Sequence, residues 1–330
     1  MKRTFPLFLL PALAACSDVN WQSVLHPAGN DAEVIVEIAW VLFGGGTLIF
    51  VGVMIMLAMS LRHGRPHVRP AVWLIGAGVV FPVTVLSALL VYSIHRSQQL
   101  LAPVSHDALV VSVTAKMWWW EVRYRDPVTG RDIVTANEIR LPANKPVYLA
   151  LTSDDVIHSF WVPALAGKVD MLPGRLTRLR VKTGAPGIYR GQCAEYCGEQ
   201  HAKMALHVVV EEAPAFDAWL SNQAQPARAT NDPLLAAGRQ VFLTQRCAAC
   251  HTIRGVADEN LIGGQTLAPD LTHIGSRLYL GAGILRNEGE NMRDWIAQTQ
   301  RFKHGARMPG FADMPEHELD ALARYLESLQ

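Results

Sequence analysis

The stretch Cys193-Ala194-Glu195-Tyr196-Cys197-Gly198-Glu199-Gln200-His201-Ala202-Lys203-Met204 gathers two thiols, an imidazole and a thioether, and a separate histidine stands in Asp155-Val156-Ile157-His158-Ser159-Phe160. Soft sulfur donors combined with imidazoles select copper. A mononuclear blue-copper site needs one cysteine, two histidines and a weak methionine, so the second cysteine suggests two thiolates bridging two copper ions. Two other readings start from the same residues. One is a Cys193–Cys197 disulfide, which an oxidising compartment permits; the other is zinc held by two cysteines and two histidines. Neither gives a reason for Met204 or for the glutamate between the thiols. Around this stretch, from Ala108 to Glu212, the chain reads as short strands, with alternation in Leu109 to Thr114 and Leu176 to Lys182. Turn signals fall at Asp126 to Gly130 and Ala185 to Gly187, and together they predict a β domain of about one hundred residues.

Beyond the β domain, Ser221 to Asp232 is polar and holds Pro226, and residues 213–231 are read as a linker. From residue 232 the pattern turns helical. Asp232-Pro233 can open a helix as cap and first-turn proline, while Leu319, Leu322, Ala323 and Leu326 repeat at i, i+3, i+4 and i+7. This region holds Cys247-Ala248-Ala249-Cys250-His251, the attachment pattern of a c-type haem. Two thiols one turn apart can form thioethers to the two vinyl groups, and the adjacent imidazole then lies under the iron. A zinc half-site lacks a second pair here, and a redox dithiol lacks its βαβ context. A site that only transfers electrons needs a sixth ligand, and Met308 in Ala306-Arg307-Met308-Pro309-Gly310-Phe311 is the preferred one; a thioether there raises the potential. Met314 stands at the expected start of the last helix, where packing is the commoner use. Residues 232–330 resemble small class I cytochromes c, including Ala268-Pro269-Asp270-Leu271 beside the haem edge.

Toward the N-terminus, Lys2 and Arg3 precede an apolar run that ends in Leu13-Ala14-Ala15-Cys16. This string resembles the bacterial lipobox, so residues 1–15 are expected to be a signal peptide and Cys16 to carry a lipid. After an extracytoplasmic segment, 16–37, two uncharged stretches of 24 residues, 38–61 and 71–94, are each long enough to cross about 30 Å of hydrocarbon as helices. Arg62, Arg65 and Arg69 lie between them, whereas Asp31, Glu33 and Glu37 precede the first. The loop is therefore expected to be cytoplasmic and everything after Arg96 extracytoplasmic. Composition agrees: 50% of the 330 residues are hydrophobic, which excludes general disorder, and 30 basic against 29 acidic residues give no excess for nucleic-acid binding.

From the two spans through the sulfur-rich β domain to the haem motif, the chain resembles subunit II of haem–copper cytochrome c oxidases with a fused C-terminal cytochrome c. The resemblance implies a multidomain membrane protein: a two-helix transmembrane hairpin, a cupredoxin-like β-barrel over 105–212 and an all-α class I cytochrome c domain over 232–330. It implies a binuclear CuA centre with His158 and His201 as imidazole ligands, Cys193 and Cys197 as bridges, Met204 as thioether and Glu195 ligating through its carbonyl oxygen. The Glu195 side chain would face a magnesium ion shared with subunit I, and Gly167 to Arg175 would touch that subunit. In Trp118-Trp119-Trp120, read as strand, Trp118 and Trp120 share a face, and the resemblance makes Trp118 the point where electrons enter. Cys247 and Cys250 would carry the haem thioethers, with His251 and Met308 as axial ligands. The implied function is electron relay from haem c through CuA to subunit I, where oxygen is reduced to water. Subunit III and a soluble or membrane cytochrome c-type donor are the further partners. The implied place is the bacterial cytoplasmic membrane, with the copper and haem domains on the periplasmic side. Pro70-Ala71-Val72-Trp73 departs from many relatives in lacking a glutamate for proton uptake. The alternative is a membrane-tethered copper-binding or metal-delivery protein, which has no use for covalent haem. Nitrous oxide reductase shares only the copper domain, and a quinol oxidase subunit would lack the copper ligands.

Overall fold

The computed structural model describes residues 22–62, 69–101, 108–257, 261–262 and 265–330. The expected signal peptide and Cys16 lie outside the described residues.

Two apolar helices come first. Helix α1 spans Asn30–Arg62, and the second runs as a π-helix over Val72–Val80 that continues into α2, Phe81–Ser97. Trp40, Phe43, Leu48, Leu74 and Val91 are exposed along them, as lipid-facing side chains must be. The first helix starts eight residues before the apolar stretch at 38, because its opening turns belong to the β domain rather than to the bilayer. Ala32 and Val34 are buried, and Asp31 Oδ1 accepts from Arg180 Nη2 at 2.6 Å. The same guanidinium donates to Gln99 O at 2.9 Å, so one arginine ties the outer ends of both spans to the sheet. Arg96 and Glu37 pair between the helices.

The β domain is a sandwich of two five-stranded sheets. One contains β1 (Leu109–Lys116), β2 (Trp119–Arg125), β3 (Asp132–Ala136), β5 (Val147–Ser153) and β8 (Thr177–Val181) in the order β3-β2-β1-β5-β8. The other contains β4 (Glu138–Pro142), β6 (His158–Trp161), β7 (Val169–Met171), β9 (Gly187–Cys193) and β10 (Ala205–Glu211) in the order β4-β10-β9-β6-β7. Parallel pairs β1/β5 and β4/β10 interrupt an otherwise antiparallel pattern, the cupredoxin-like arrangement expected. Inward residues Val111, Val113, Trp120 and Leu149 of the first sheet meet Phe160, Leu206 and Val208 of the second.

The segment read as a linker is half helix. Helix α3, Ala213–Gln223, buries Phe216 and Leu220 in the β-domain core and sets Trp219 edge-on to Tyr124, with ring centroids 5.2 Å apart. The stripe Phe216, Trp219, Leu220, Gln223 has helical spacing and explains the difference from the polar reading. The remaining connector is pinned rather than free: Ala227 N donates to Arg254 O at 2.9 Å, and Gln225 O accepts from His273 Nε2 at 3.0 Å.

The last domain is helical, with α4 (Pro233–Thr244), α5 (Asn291–Ala297), α6 (Thr299–Phe302) and α7 (Glu316–Glu327). Asp232 Oδ1 caps α4 by accepting from Leu234 N at 2.8 Å. Helices α4 and α7 cross so closely at Gly238 that a Cβ there would lie 2.0 Å from Ala321 O. Two ribbons of two-residue strands, β11 (Leu261–Ile262) with β12 (Gln265–Thr266) and β13 (Tyr279–Leu280) with β14 (Leu285–Arg286), depart from an all-α domain.

Candidate metal centre and cofactor cavity

Strand β9 ends in Cys193 and pairs antiparallel with β6, register Phe160 to Cys193, which brings His158 at the head of β6 over the loop that follows β9. That loop is closed at both ends: Cys193 N donates to Met204 O and Ala194 N to Ser159 O, each at 2.9 Å. Cys197 and His201 therefore lie in a tight excursion between β9 and β10. Gly198, at φ +109, turns it beneath Trp118, whose Cζ2 would lie 3.2 Å from an added Cβ.

The sulfur and nitrogen donors converge. Cys193 Sγ is 3.7 Å from Cys197 Sγ and 3.8 Å from His158 Nδ1; Cys197 Sγ is 3.7 Å from His201 Nδ1 and 3.9 Å from Met204 Sδ. Glu195 O lies 3.2 Å from Cys193 Sγ. All four cysteines among the described residues are free thiols, so the pair is not a disulfide. His158 is fully buried, and Cys193, Cys197 and Met204 are nearly so. The pair shares a proton between its sulfurs: the hydrogen bond from Cys197 pushes Cys193 well down, and Cys197 moves correspondingly up.

Asp155 orients the first imidazole. Its Oδ1 accepts from His158 Nε2 at 2.8 Å, which leaves the Nδ1 lone pair toward the sulfurs. Met117 N at 2.7 Å and Val156 N at 2.8 Å also donate to this carboxylate. Burial alone would raise its pKa, but these bonds hold it below the ordinary carboxyl value. His158 moves the other way, burial being outweighed by Asp155 and Cys193. Asp155 has no assigned role in the sequence motif, yet its i,i+3 spacing to His158 is the local signal that places a carboxylate beside the imidazole. The Glu195 carboxylate is half exposed and shares Lys168 with Asp170, at 3.9 and 3.7 Å.

The second site is a mostly apolar cavity, open to solvent on part of its boundary, whose lining includes His251, Pro269, Trp295 and Met308. Arg246 in the left-handed conformation reverses the chain after α4, and Cys250 N and His251 N both donate to Cys247 O, at 3.1 and 3.0 Å. The motif is thus one tight turn. His251 Nδ1 donates to Pro269 O at 2.7 Å, leaving Nε2 as its acceptor, and burial keeps the imidazole neutral by lowering its pKa. Burial pushes the Cys247 thiol up to about 11. Gln300, missed in the sequence reading, holds the methionine loop: its Nε2 donates to Met308 O at 2.6 Å and Ala306 O at 2.8 Å, and its Oε1 accepts from Gly305 N at 3.0 Å. Met314 packs on the domain core and is not among the residues lining the cavity.

The two sites share a wall. Met117, Trp118 and Trp119 of the β domain line the cavity of the last domain, and Trp118 Nε1 donates to Cys197 O at 2.8 Å. Trp118 is in the turn between β1 and β2, not on a strand, because the ladder's last pair is Lys116 with Trp119. It therefore does not share a strand face with Trp120, which is wholly buried and packs edge-on to Phe160 at 5.7 Å.

The family described as cytochrome c oxidase subunit II, periplasmic domain, matches residues 128–213, and the cytochrome c family matches 235–330. The cytochrome c oxidase subunit 2 of Alkalihalophilus pseudofirmus is 34% identical over 227 residues, 69% of this chain and 63% of that protein. That of Bacillus sp. strain PS3 is 33% identical over 234 residues, 68% of this chain and 63% of that protein. The chain thus spans less than two thirds of the length of these relatives. Among solved structures, the periplasmic domain of subunit II of cytochrome oxidase from Bradyrhizobium japonicum is 31% identical over 37% of this chain and 95% of that one, with a TM-score of 0.34.

Proposed function

We propose that the chain is a cytochrome c oxidase subunit II carrying a cytochrome c domain, as the two family matches and the curated relatives support, and that it is the electron-accepting subunit of a terminal oxidase. It takes single electrons into its cytochrome c domain and passes them through a copper centre in its β domain to subunit I, where oxygen is reduced to water. The single observation that carries this is the convergence of two thiols, two imidazole nitrogens and a thioether, each neighbouring pair within 4 Å.

That donor set fits a thiolate-bridged copper pair: it is soft, buried, and short of the hard oxygens that magnesium or calcium require. The residues that would hold it are Cys193 and Cys197 through their thiolates, His158 and His201 through their imidazoles, Met204 through its thioether and Glu195 through its carbonyl oxygen. The cavity likewise fits a haem, which Cys247 and Cys250 would hold by thioethers and to which His251 and Met308, both in the lining, would offer a nitrogen and a sulfur ligand. When bound, the copper pair and the haem each supply a one-electron couple. The protein's part is to fix ligands and exclude water. Asp155 locks the His158 tautomer, Gln300 holds the Met308 loop, and burial of the thiols denies exchange with outside ligands. This last feature argues against metal delivery, where a cargo site must open to its acceptor.

Trp118 bridges the two sites by reaching Cys197 O from the cavity wall, which supports its role as the point where electrons enter the copper domain. The donor to that point is the chain's own cytochrome domain, and an external cytochrome c-type protein reduces the latter. The Glu195 carboxylate offers a hard donor for a magnesium ion shared with subunit I. Subunit III completes the assembly, in the cytoplasmic membrane of a bacterium with both redox domains in the periplasm. Residues 1–15 are removed as a signal peptide and Cys16 carries a lipid.

The test is optical and electron paramagnetic resonance spectroscopy of the protein purified from its own membranes. A c-type haem band with a mixed-valence dicopper signal is expected. A zinc-loaded or metal-free β domain in active enzyme overturns the reading.

A further inference from the structure

Lys303 begins the loop that leads from α6 to Met308, and its ammonium ends between the domains. It donates to Trp118 O at 2.6 Å and to Gly281 O at 3.0 Å, and only 4% of the residue is exposed. Both partners are main-chain carbonyls; among the described residues no carboxylate pairs with it. Burying an ammonium with no carboxylate partner is costly, and burial lowers its pKa to about 7 against the opposing pull of the Cys197 thiol. A methionine or leucine would fill the same volume without that cost. What the ammonium adds is two charge-assisted hydrogen bonds, one to each domain.

The neighbours of Lys303 also cross the boundary. Phe302 O accepts from Lys203 Nζ at 2.6 Å, and His304 Nδ1 lies 2.6 Å from Glu199 Oε1. Lys203 and Glu199 belong to the loop that carries Cys197 and His201, so the two residues flanking Lys303 reach the sulfur-rich loop while Lys303 itself reaches the Trp118 turn. The two outer contacts are solvent-exposed, where such pairs contribute little. The middle one is dry. It also ends on the residue whose indole reaches Cys197 O and whose ring lines the cavity.

We propose that Lys303 is a positioning residue: its ammonium, shared by Trp118 O and Gly281 O, fixes the Trp118 turn against the cavity and holds the two redox sites in register. The proposal rests on the relay reading above for its purpose, but not for its geometry. Lys303→Met removes both donors while keeping an unbranched apolar stem. Lys303→Gln keeps a short neutral donor and serves as the second variant.

The experiment is hydrogen exchange followed by mass spectrometry on the haem- and copper-loaded full chain, with photoreduction of the haem to time haem-to-copper transfer. Exchange across residues 117–120 and 279–283 reports local opening of the boundary. Loss of a charge-assisted bond there is expected to speed exchange in Lys303→Met by about tenfold or more, with Lys303→Gln between it and the parent. Exchange within α7, the covalent haem and the dicopper signal should be unchanged, and transfer should be slower. Parental exchange at both segments in Lys303→Met overturns the proposal. Faster exchange with parental transfer leaves Lys303 as the positioning residue and removes Trp118 from the electron route, so it is the relay reading that then fails.

Discussion

Acid should loosen the boundary between the two domains through His207. This residue lies on β10, is 6% exposed, and stacks on Tyr279 of the cytochrome domain with centroids 3.9 Å apart and planes 4° from parallel. Arg190 on β9 is its cross-strand neighbour, Arg286 approaches from β14 over the Tyr279 ring, and Glu138 is its partner on β4. Burial first, and then the two guanidiniums, lower its pKa from 6.5 to about 4. The folded protein therefore keeps the ring neutral where the unfolded chain protonates it. Stability from this group is whole above pH 6.5 and falls as the pH drops from there toward about 4, the window in which the unfolded state binds more protons. At about 1.4 kcal/mol per pH unit the full interval is worth about 3 kcal/mol, of which about 2 kcal/mol is lost by pH 5. In a folded unit of some two hundred residues that corresponds to about 4–8 °C of melting temperature. Scanning calorimetry of the loaded protein and of His207→Phe at about pH 7.5 and pH 5 isolates the effect, because phenylalanine keeps the stack but cannot titrate. The parent should lose about 4–8 °C more than the variant on acidification. Equal losses in both would refute the reasoning.

Three further outcomes follow from the sites themselves. Cys197→Ser replaces a soft thiolate with a hydroxyl that copper binds poorly; the dicopper resonance should vanish while haem attachment survives, and in assembled enzyme the haem should stay reduced as oxygen uptake collapses. Met308→His should lower the haem potential in a redox titration, since imidazole favours ferric iron more than thioether does, whereas Met314→Leu should leave it in place; the reverse result moves the axial role to Met314. Asp155→Ala strips the acceptor from His158 Nε2 and Met117 N and should cost about 10–100-fold in copper affinity by chelator competition, with parental affinity counting against the orienting role.

Both donor sets were legible because each is nearly local. Cys193 to Met204 fits within one loop between β9 and β10, and Cys247 to His251 within one turn, so spacing along the chain is close to spacing in space. His158 comes from another strand, yet its separation from the loop is fixed by sheet register. Periodicity served less well where it reports a face without saying what covers it. The stripe of α3 was hidden in a polar segment, since four residues of a short helix carry all of its burial. The three tryptophans looked like strand because aromatic residues favour strands. The chain instead breaks the ladder after Lys116, and Asp155 from a distant turn takes the Met117 amide. Lys303 had no local signal at all, because its two acceptors lie in the chain 185 and 22 residues away.

The pinned connector limits the entropy lost when the two domains pack together. A free tether would leave the cytochrome domain to search for its seat, with ordering entropy lost at each docking. Here helix α3 is part of the β-domain core and Arg254 grips the carbonyls of Gln223 and Gln225, so the connector is tied to both domains along its length. Docking then orders little additional chain. A ring stack, the main-chain bond from Ala205 N to Ala282 O at 3.0 Å, and the bond from Leu278 N to Glu138 Oε2 at 2.8 Å can each act in a unimolecular closure rather than in an association. The turn bearing Trp118 is thereby enclosed by the chain's own second domain.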